Sequence, residues 1–287
     1  MSKPIRETGK EIQSRIRRIR SLPTLPPVVK KVNEMVRSEK VSADKIGKTI
    51  GQDYALTAKV LRLVNSAFYG RGAPISSVTS AVILLGFDVV RGVVLSASVF
   101  ELMDKGIVGL WEHSLGTAIA SGVIAKALYF PEPEEVSVAG LLHDIGKVVV
   151  PGKMPQTHTR ICKIIENTTL SIGEAEKKIL GFDHSRIGMW LADEWNFPPN
   201  LTEPIIYHHT PSLAKEAALQ TAIVHLADIL IRAKGFGSGG DPWVPKINKE
   251  AWDLLGFSME DLEEVVFRIG EEVFNVEGMD WRDDKQG

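Results

Sequence analysis

The segment 138–147, Val-Ala-Gly-Leu-Leu-His-Asp-Ile-Gly-Lys, constrains this chain more than any other. It places an adjacent histidine and aspartate, His143 and Asp144, at the polar end of an apolar helical run, followed by Lys147. An imidazole is a nitrogen ligand for metal ions, and a carboxylate can bridge two cations. A nearby ammonium adds positive charge, so the segment offers the parts of a phosphate-handling metal site.

The other histidines strengthen this interpretation. The His-Asp pair alone is a weak signal, because the dipeptide arises by chance and most histidines are not ligands. Of the seven histidines in the chain, however, six lie between positions 113 and 209. Together with two carboxylates, five of these histidines form a series that runs in chain order His113, His143, Asp144, His184, His208, His209 and Asp228. Imidazoles and carboxylates concentrated in one core need a partner, and mixed ligands of this kind suit iron, manganese or zinc.

Three further residues have less specific interpretations. His158 lies in a polar, loop-like stretch and is expected to be solvated. His225 is expected to be a packed or hydrogen-bonded helix residue, with the orientation of a metal ligand as the less favoured alternative. Arg186 follows His184 by two residues and is a candidate phosphate contact, although a surface salt bridge explains it equally well.

The first third of the chain predicts short helices. Ser42, Asp53 and Ser77 each stand where an N-cap precedes an apolar segment with helical periodicity. The predicted helices are 43–50, 54–68, 78–85 and 89–103, the last capped by Asp88. No stretch here alternates apolar and polar residues convincingly over the length of a strand. We therefore expect an all-α fold, with an N-terminal helical lobe packed on a multi-helical core.

The remainder also predicts helices, separated by prolines and glycines. They cover 161–167, 171–180, 184–195, 203–209, 217–233 and 258–274. Adjacent side chains point about 100° apart on an ideal helix, so His208 and His209 can share a metal only near a helix end. The following Thr210-Pro211 supplies that end. The glycine-rich stretch 235–240 predicts a mobile loop.

Composition and charge disfavour several classes of protein. A hydrophobic fraction of 44% and a charged fraction of 24% are typical of a soluble globular chain. The net charge of -2 gives no global attraction to nucleic acid. Only the segment 1–20, predicted as a basic N-terminal helix, favours such binding, and a solvated helix face is the commoner structure for a charge run.

The same sequence favours the cytoplasm. The apolar run 81–100 is interrupted by Asp88 and Arg91, which predicts buried helices and no membrane span. The single cysteine, Cys162, cannot form an intrachain disulfide, as expected in a reducing compartment. The polar N-terminus does not resemble a signal peptide.

Several motifs, in the right order, resemble the HDOD domain, a bacterial signalling module related to the HD phosphohydrolases. They are Leu-Pro-x-Leu-Pro at 22–26, Asp-x-x-Leu-x-x-Lys-Val-Leu-Arg-Leu-Val-Asn-Ser-Ala-Phe-Tyr-Gly at 53–70, Ile-x-Ser-x-x-x-Ala-Val-Ile-Leu-Leu-Gly at 75–86, Trp-x-His-Ser at 111–114 and Gly-Leu-Leu-His-Asp-Ile-Gly-Lys at 140–147. The resemblance covers roughly residues 20 to 230. It implies an N-terminal helical lobe over 21–105, an HD-type lobe over 106–234 and a C-terminal helical extension over 241–287.

The order of histidines and carboxylates is similar to that of the binuclear HD superfamily of metal-dependent phosphohydrolases, in particular its HD-GYP branch. This resemblance implies one metal bound by His113, His143, Asp144 and Asp228, and a second bound by His184, His208 and His209, with Asp144 bridging. It also implies that Lys147 approaches the phosphate of a substrate, so Asp144 and Lys147 are the catalytic candidates. The chain departs from that branch because no Gly-Tyr-Pro element follows the paired histidines, so cyclic dinucleotide specificity is not implied.

Two functions compete on these grounds. The resemblance to the HDOD family implies a regulatory module that binds a signalling protein, because many HDOD domains have lost metal ligands and act as non-catalytic output or scaffolding modules. The complete ligand set instead favours a phosphohydrolase or phosphodiesterase that acts on a nucleotide-like phosphoester.

Overall fold

The computed structural model describes residues 26–36, 41–65 and 74–275 of the chain. All regular secondary structure in these ranges is helical, which confirms the all-α prediction. The predicted basic helix over 1–20 lies outside the described residues, as do the first four residues of the Leu-Pro motif and residues 66–70. Within the described ranges, every helix is too short or too polar to span a lipid bilayer.

The described helices before the histidine-rich part of the chain are short, apart from the last. They are α1 (Pro27–Val36), α2 (Ala43–Ile50), α3 (Tyr54–Val64), α4 (Val78–Leu85) and α5 (Phe87–Gly106). The predicted N-caps are confirmed, because the side chains of Ser42, Asp53 and Ser77 accept hydrogen bonds from backbone N–H groups in the first turns of α2, α3 and α4. The local sequence therefore determines where these three helices begin.

The predicted cap of α5 is wrong. The helix begins at Phe87, and its N-cap is Gly86, whose φ of 88° is rarely adopted by residues with a side chain. Asp88 lies in the first turn, where a carboxylate interacts favourably with the positive end of the helix dipole.

Eight further helices in the described part of the chain surround the histidines. They are α6 (Leu110–Ala127), α7 (Pro133–Leu142), α8 (Val149–Lys153), α9 (Pro155–Asn167), α10 (Ile172–Leu180), α11 (His184–Glu194), α12 (Pro199–Tyr207) and α13 (Ala218–Lys234). Short 3-10 turns cover Ile145–Val148 and Pro211–Leu213, and α14 (Lys249–Leu255) and α15 (Met259–Phe274) follow. Helix α6 is buried along almost its whole length because it packs against α7, α13 and α15.

Two helices begin earlier than predicted, and in both cases a proline is the reason. Helix α9 starts at Pro155 and α12 at Pro199, where the sequence had indicated starts at 161 and 203. Proline is well suited to the first helical position, because its missing N–H has no partner there in any helix. As a result His158 lies on a helix and is half-buried, so its expected solvated loop environment is wrong.

Two hydrogen bonds join the N-terminal helices to the histidine-rich part. Asn33 Nδ2 on α1 donates to the carbonyl oxygen of Trp195 over 2.7 Å. Arg91 Nη2 on α5 donates to the carbonyl oxygen of Asn196, also over 2.7 Å. Both acceptors lie just beyond the end of α11, so this turn anchors the two parts of the chain. The proposed boundaries of the two lobes and the C-terminal extension stay predictions.

Close backbone approaches at glycines bring helix ends together. A Cβ added to Gly146 would lie 2.0 Å from the carbonyl oxygen of His184 and 2.7 Å from the amide nitrogen of Gly188. A Cβ added to Gly188 would lie 2.5 Å from Ile205 Cγ2. The 3-10 turn after Asp144 can therefore contact α11, and α11 can contact α12, only because these side chains are missing.

We expect Gly146→Ala to destabilise the protein by about 1–3 kcal/mol, because the methyl group collides with backbone that cannot rotate away. Urea unfolding followed by circular dichroism measures the change. Gly152→Ala is the matched control, since Gly152 is exposed on α8 and an added Cβ there meets nothing within 4 Å. Equal unfolding midpoints for the two variants would contradict the packing argument.

Candidate metal centre

The candidate ligands come mainly from helix ends that converge on one buried point. His143 and His208 directly follow α7 and α12, and His184 is the first residue of α11. The side chain of Asp183 caps α11 by accepting the N–H of Arg186, which places His184 at the first helical position. The predicted helix end at the paired histidines is confirmed, because α12 stops at Tyr207.

Two groups of ligands share this point. We define site 1 as His113, His143 and Asp228, and site 2 as His184, His208 and His209. Within each group, one potential ligand atom per residue lies within 4.8 Å of the others. All seven residues that the sequence indicated, including Asp144, therefore lie together.

The carboxylate of Asp144 lies between the two sites. Its Oδ2 is 3.5 Å from His113 Nε2 and 3.2 Å from His143 Nε2. Its Oδ1 is 3.5 Å from the Nε2 atoms of both His184 and His208. One oxygen thus faces each site, which is the arrangement that a carboxylate bridging two cations requires.

The buried ligand atoms lack ordinary partners. In the described part of the chain, buried atoms without a hydrogen-bond partner include His113 Nε2, His143 Nε2, Asp144 Oδ1, His208 Nε2 and Asp228 Oδ1. Each such atom costs about 1–3 kcal/mol if nothing satisfies it. Divalent cations would satisfy all five, so the residues present fit a metal centre.

The spacing within site 2 supports the same conclusion. The Nε2 atoms of His184 and His209 are 2.9 Å apart. Two nitrogens that bind the same ion, each at about 2.1 Å, are roughly 3 Å apart when they occupy adjacent positions around it. Without an ion, one of the two rings must carry a proton on this nitrogen and donate it to the other.

The electrostatics of the centre keep both carboxylates ionised. Burial raises the pKa of Asp144, but the nearby side chains of His143, Lys147 and His113 outweigh it and hold the pKa well below its usual range. Burial also raises the pKa of Asp228, but His113, whose Nε2 lies 3.1 Å from Asp228 Oδ1, reverses that effect, so this pKa is also well below normal. Ionised carboxylates are the form that binds metals.

The pKa values of two histidines of the centre are shifted in opposite directions. Burial lowers the pKa of His208 to about 4, which leaves the ring neutral and able to bind a metal. Burial lowers the pKa of His113 as well, but the nearby carboxylates of Asp144 and Asp228 overcome this effect, and its pKa is raised. A metal at site 1 would take the place of the proton that the two carboxylates attract to His113.

Hydrogen bonds to Nδ1 orient three of the rings. His143 Nδ1 lies 2.7 Å from the carbonyl oxygen of Gly140, and His208 Nδ1 lies 3.0 Å from that of Pro204. His184 Nδ1 lies 2.7 Å from the carboxylate of Glu176, which also accepts the backbone N–H of His184 over 2.8 Å. Because Nδ1 donates in each case, Nε2 is left without a proton and faces the centre.

Glu176 is the residue that the sequence interpretation missed. It lies on α10, its side chain is buried, and it orients His184 from outside the candidate ligand set. The available signal was its position on the apolar face of α10, next to Ala175 and four residues after Ile172. A carboxylate on such a face needs a partner, and a buried imidazole is one.

The structure places His225 beside a ligand. Its Nδ1 donates to the carbonyl oxygen of His208 over 2.7 Å, and its Nε2 accepts the N–H of Asn248 over 2.9 Å. The favoured interpretation as a hydrogen-bonded helix residue is confirmed. The bond also fixes the backbone of His208 at the end of α12.

Lys147 and Arg186 differ in their relation to the centre. Lys147 is buried, and its Nζ lies 2.5 Å from Asp144 Oδ2. Arg186 is exposed on α11, where its Nη1 lies 3.5 Å from Met189 Sδ, and none of its contacts with described residues reaches the centre. The expected phosphate contacts of both residues stay predictions.

Solvent reaches the two sites unequally. His209 is exposed, whereas the other six candidate ligands are buried. On the other side, residues 235–243 after α13 cover His113, and the N–H of Ser238 donates to the carbonyl oxygen of Gly109 over 2.8 Å. Site 2 is therefore the more open of the two.

The family assignment rests on a match to more than half of the chain. The family profile of the HDOD domain matches residues 22–211, more than half of the 287 residues. The chain belongs to the HDOD family. The predicted recognition is confirmed, and the histidine and aspartate cluster lies in an HDOD fold.

Solved structures with the HDOD fold are similar over most of the chain. An HDOD domain protein of unknown function from Geobacter sulfurreducens is 28% identical with a TM-score of 0.73, over 93% of this chain and 98% of that chain. A proposed phosphohydrolase from Shewanella amazonensis SB2B is 24% identical with a TM-score of 0.66, over 90% of this chain and 97% of that chain. At the latter identity only the fold is shared.

A sequence relative is longer than this HDOD chain. An uncharacterized protein of Treponema pallidum (strain Nichols) is 26% identical over 231 residues, which are 79% of this chain and 45% of that protein. The chain thus spans less than half the length of that relative.

We expect Asp144→Ala to remove metal from both sites. In the described part of the chain, Asp144 is the only carboxylate that faces both site 1 and site 2. Elemental analysis of untagged protein that has not been exposed to a chelator measures the number of metal ions per chain. His158→Ala is the control, because His158 lies on α9 with its Nε2 3.6 Å from Cys162 Sγ and belongs to neither site. Equal metal content in the two variants would refute the ligand assignment.

We expect Glu176→Gln to weaken metal binding at site 2 by roughly tenfold to a hundredfold, because the amide no longer holds His184 with a charged acceptor. Competition with a chromogenic chelator measures the affinity. Glu166→Gln, an exposed position on α9, is the matched control and should leave affinity unchanged. Unchanged affinity in Glu176→Gln would show that the carboxylate does not act through the metal ligand.

Proposed function

We propose that this chain is an HDOD-type signalling protein whose histidine and aspartate cluster holds two divalent metal ions. The observation that carries the proposal is the position of Asp144, with Oδ2 within 3.5 Å of two site 1 histidines and Oδ1 3.5 Å from two site 2 histidines. Iron, manganese and zinc all suit mixed imidazole and carboxylate ligands. A signalling protein is the proposed partner, in keeping with the HDOD family.

Phosphoester hydrolysis is a second candidate function, and the position of Lys147 favours it. When bound, divalent cations of this kind supply Lewis acidity for a phosphate group and a nucleophile near neutral pH. The Lys147 ammonium lies beside the bridging carboxylate, where it can neutralise negative charge that develops on phosphoryl oxygens. The exposed His209 leaves a route for substrate on the site 2 side.

Residues of this chain would hold the metal ligands in place and limit the access of water. Asp144 sets the separation of the two sites, and Glu176 and the backbone carbonyls of α7 and α12 hold the rings in place. The three residues of site 1 are buried, which limits the access of water. A nucleotide-like phosphoester is the proposed substrate class.

The test combines metal content and hydrolysis on one sample. We expect about two metal ions per chain, the number that hydrolases with a two-metal site hold. If the hydrolase proposal holds, bis(p-nitrophenyl) phosphate is hydrolysed, and Lys147→Gln lowers kcat about a hundredfold while the metal content stays unchanged. His158→Ala again serves as the control.

Each outcome separates the candidates. Two metals with turnover that is lost in Asp144→Ala would establish the hydrolase. Two metals without turnover would leave a structural or sensory metal centre in a regulatory module. A protein without metal, purified from metal-supplemented medium, would overturn the dinuclear proposal.

A further inference from the structure

A cavity of about 370 Å³ lies against site 1. His113, Ile165 on α9, Arg232 on α13 and the segment after α13 line it. We call residues 235–243 the glycine loop. Pockets that bind small molecules typically have volumes of about 300–1,000 Å³, so the cavity is large enough for part of a ligand. It also contacts a candidate metal ligand directly.

The glycine loop can approach His113 only because it lacks side chains. Gly237 has a φ of 68°, and a Cβ there would lie 2.2 Å from the amide nitrogen of His113. A Cβ on Gly239 would lie 2.3 Å from Arg232 Nη1 and 3.7 Å from His113 Nε2. The bare backbone therefore lets the guanidinium of Arg232 lie close to site 1.

Hydrogen bonds from Nε and Nη2 fix the side chain of Arg232. Its side chain is only 6% exposed, and it lies one helical turn after Asp228. Nη2 donates to Asp241 Oδ1 over 2.5 Å, and Nε donates to the carbonyl oxygen of Trp243 over 2.9 Å. Nη1 donates no hydrogen bond to any residue that the structure describes.

Asp241 fixes this arrangement and has little capacity left for other ligands. Its carboxylate accepts the N–H groups of Ile172 over 2.8 Å and Trp243 over 2.9 Å in addition to Arg232. It thereby ties the glycine loop to the start of α10 and to α13. The carboxylate orients the arginine, while its negative charge weakens the attraction of the cavity for anions.

We propose that this cavity is a phosphate-binding subsite in which Arg232 Nη1 holds an anionic group of the ligand. The inference rests on the proposed function, because it places a second phosphate of the substrate next to the phosphoester at the metal centre. A guanidinium suits this role, since its planar N–H groups match the oxygens of a phosphate. The substrate class narrows to phosphoesters that carry a further phosphate group.

The alternative is that Arg232 and Asp241 only fasten the glycine loop. The two interpretations predict different results for two matched variants. Arg232→Gln removes the cation and the fastening, whereas Asp241→Asn removes the fastening charge but retains the cation. Phosphate binding therefore separates a ligand-binding arginine from a purely structural one.

The experiment measures binding of inorganic phosphate to the full chain by equilibrium dialysis, after metal removal with a chelator and again in the metal-loaded protein. In the metal-free protein we expect Arg232→Gln to bind phosphate about tenfold more weakly than the unmodified chain, as for the loss of one charge-assisted hydrogen bond. Asp241→Asn should bind it at least as tightly, because a competing negative charge is gone while the amide oxygen can still accept the hydrogen bond that orients Arg232. Arg232→Lys keeps a cation and should retain part of the binding.

Equal phosphate affinity in Arg232→Gln and the unmodified chain would overturn the subsite, as would an equal loss in Arg232→Gln and Asp241→Asn. If Arg232→Gln does not fold, the Asp241→Asn result decides, and loss of binding there overturns the proposal. Binding by the metal-free protein requires neither metal nor turnover. Failure of the subsite is therefore distinguishable from failure of the proposed metal centre.

Discussion

The carboxylate of Asp144 is the group on which the rest of the structure depends. It is fully buried among four imidazoles and the Lys147 ammonium. An isolated charge in such an environment is very unfavourable, so positive groups or cations must surround it. The fold surrounds this carboxylate with imidazoles by bringing the ends of several helices together. At a helix end, adjacent side chains can point toward the same space.

The convergence of these helix ends requires close backbone contacts. Gly146 and Gly188 let the turn after Asp144 contact α11, and Gly188 also lets α11 contact Ile205 on α12. A further glycine, Gly237, brings the loop after α13 against the start of α6 at His113. The candidate ligands therefore come together only because these glycines permit the close backbone contacts.

The two sites of the centre differ in ways that matter for function. Site 1 lies beneath the glycine loop, with Arg232 beside it, whereas site 2 includes the exposed His209. Membership of the HDOD family accounts for the frame around both sites. Hydrolysis by a two-metal centre would require a substrate to reach both sites, whereas a structural or sensory centre would not.

Local sequence determined the helix starts at Ser42, Asp53 and Ser77, because each cap bonds to backbone within three residues. It also indicated the seven clustered residues and the helix end at His208, since ligand types and a following proline are visible in the chain itself. Only the tertiary structure decided that Glu176 orients His184, that Lys147 pairs with Asp144 and that Arg232 lies beside site 1. Such contacts depend on which faces of different helices meet, and that is set by packing of the whole core.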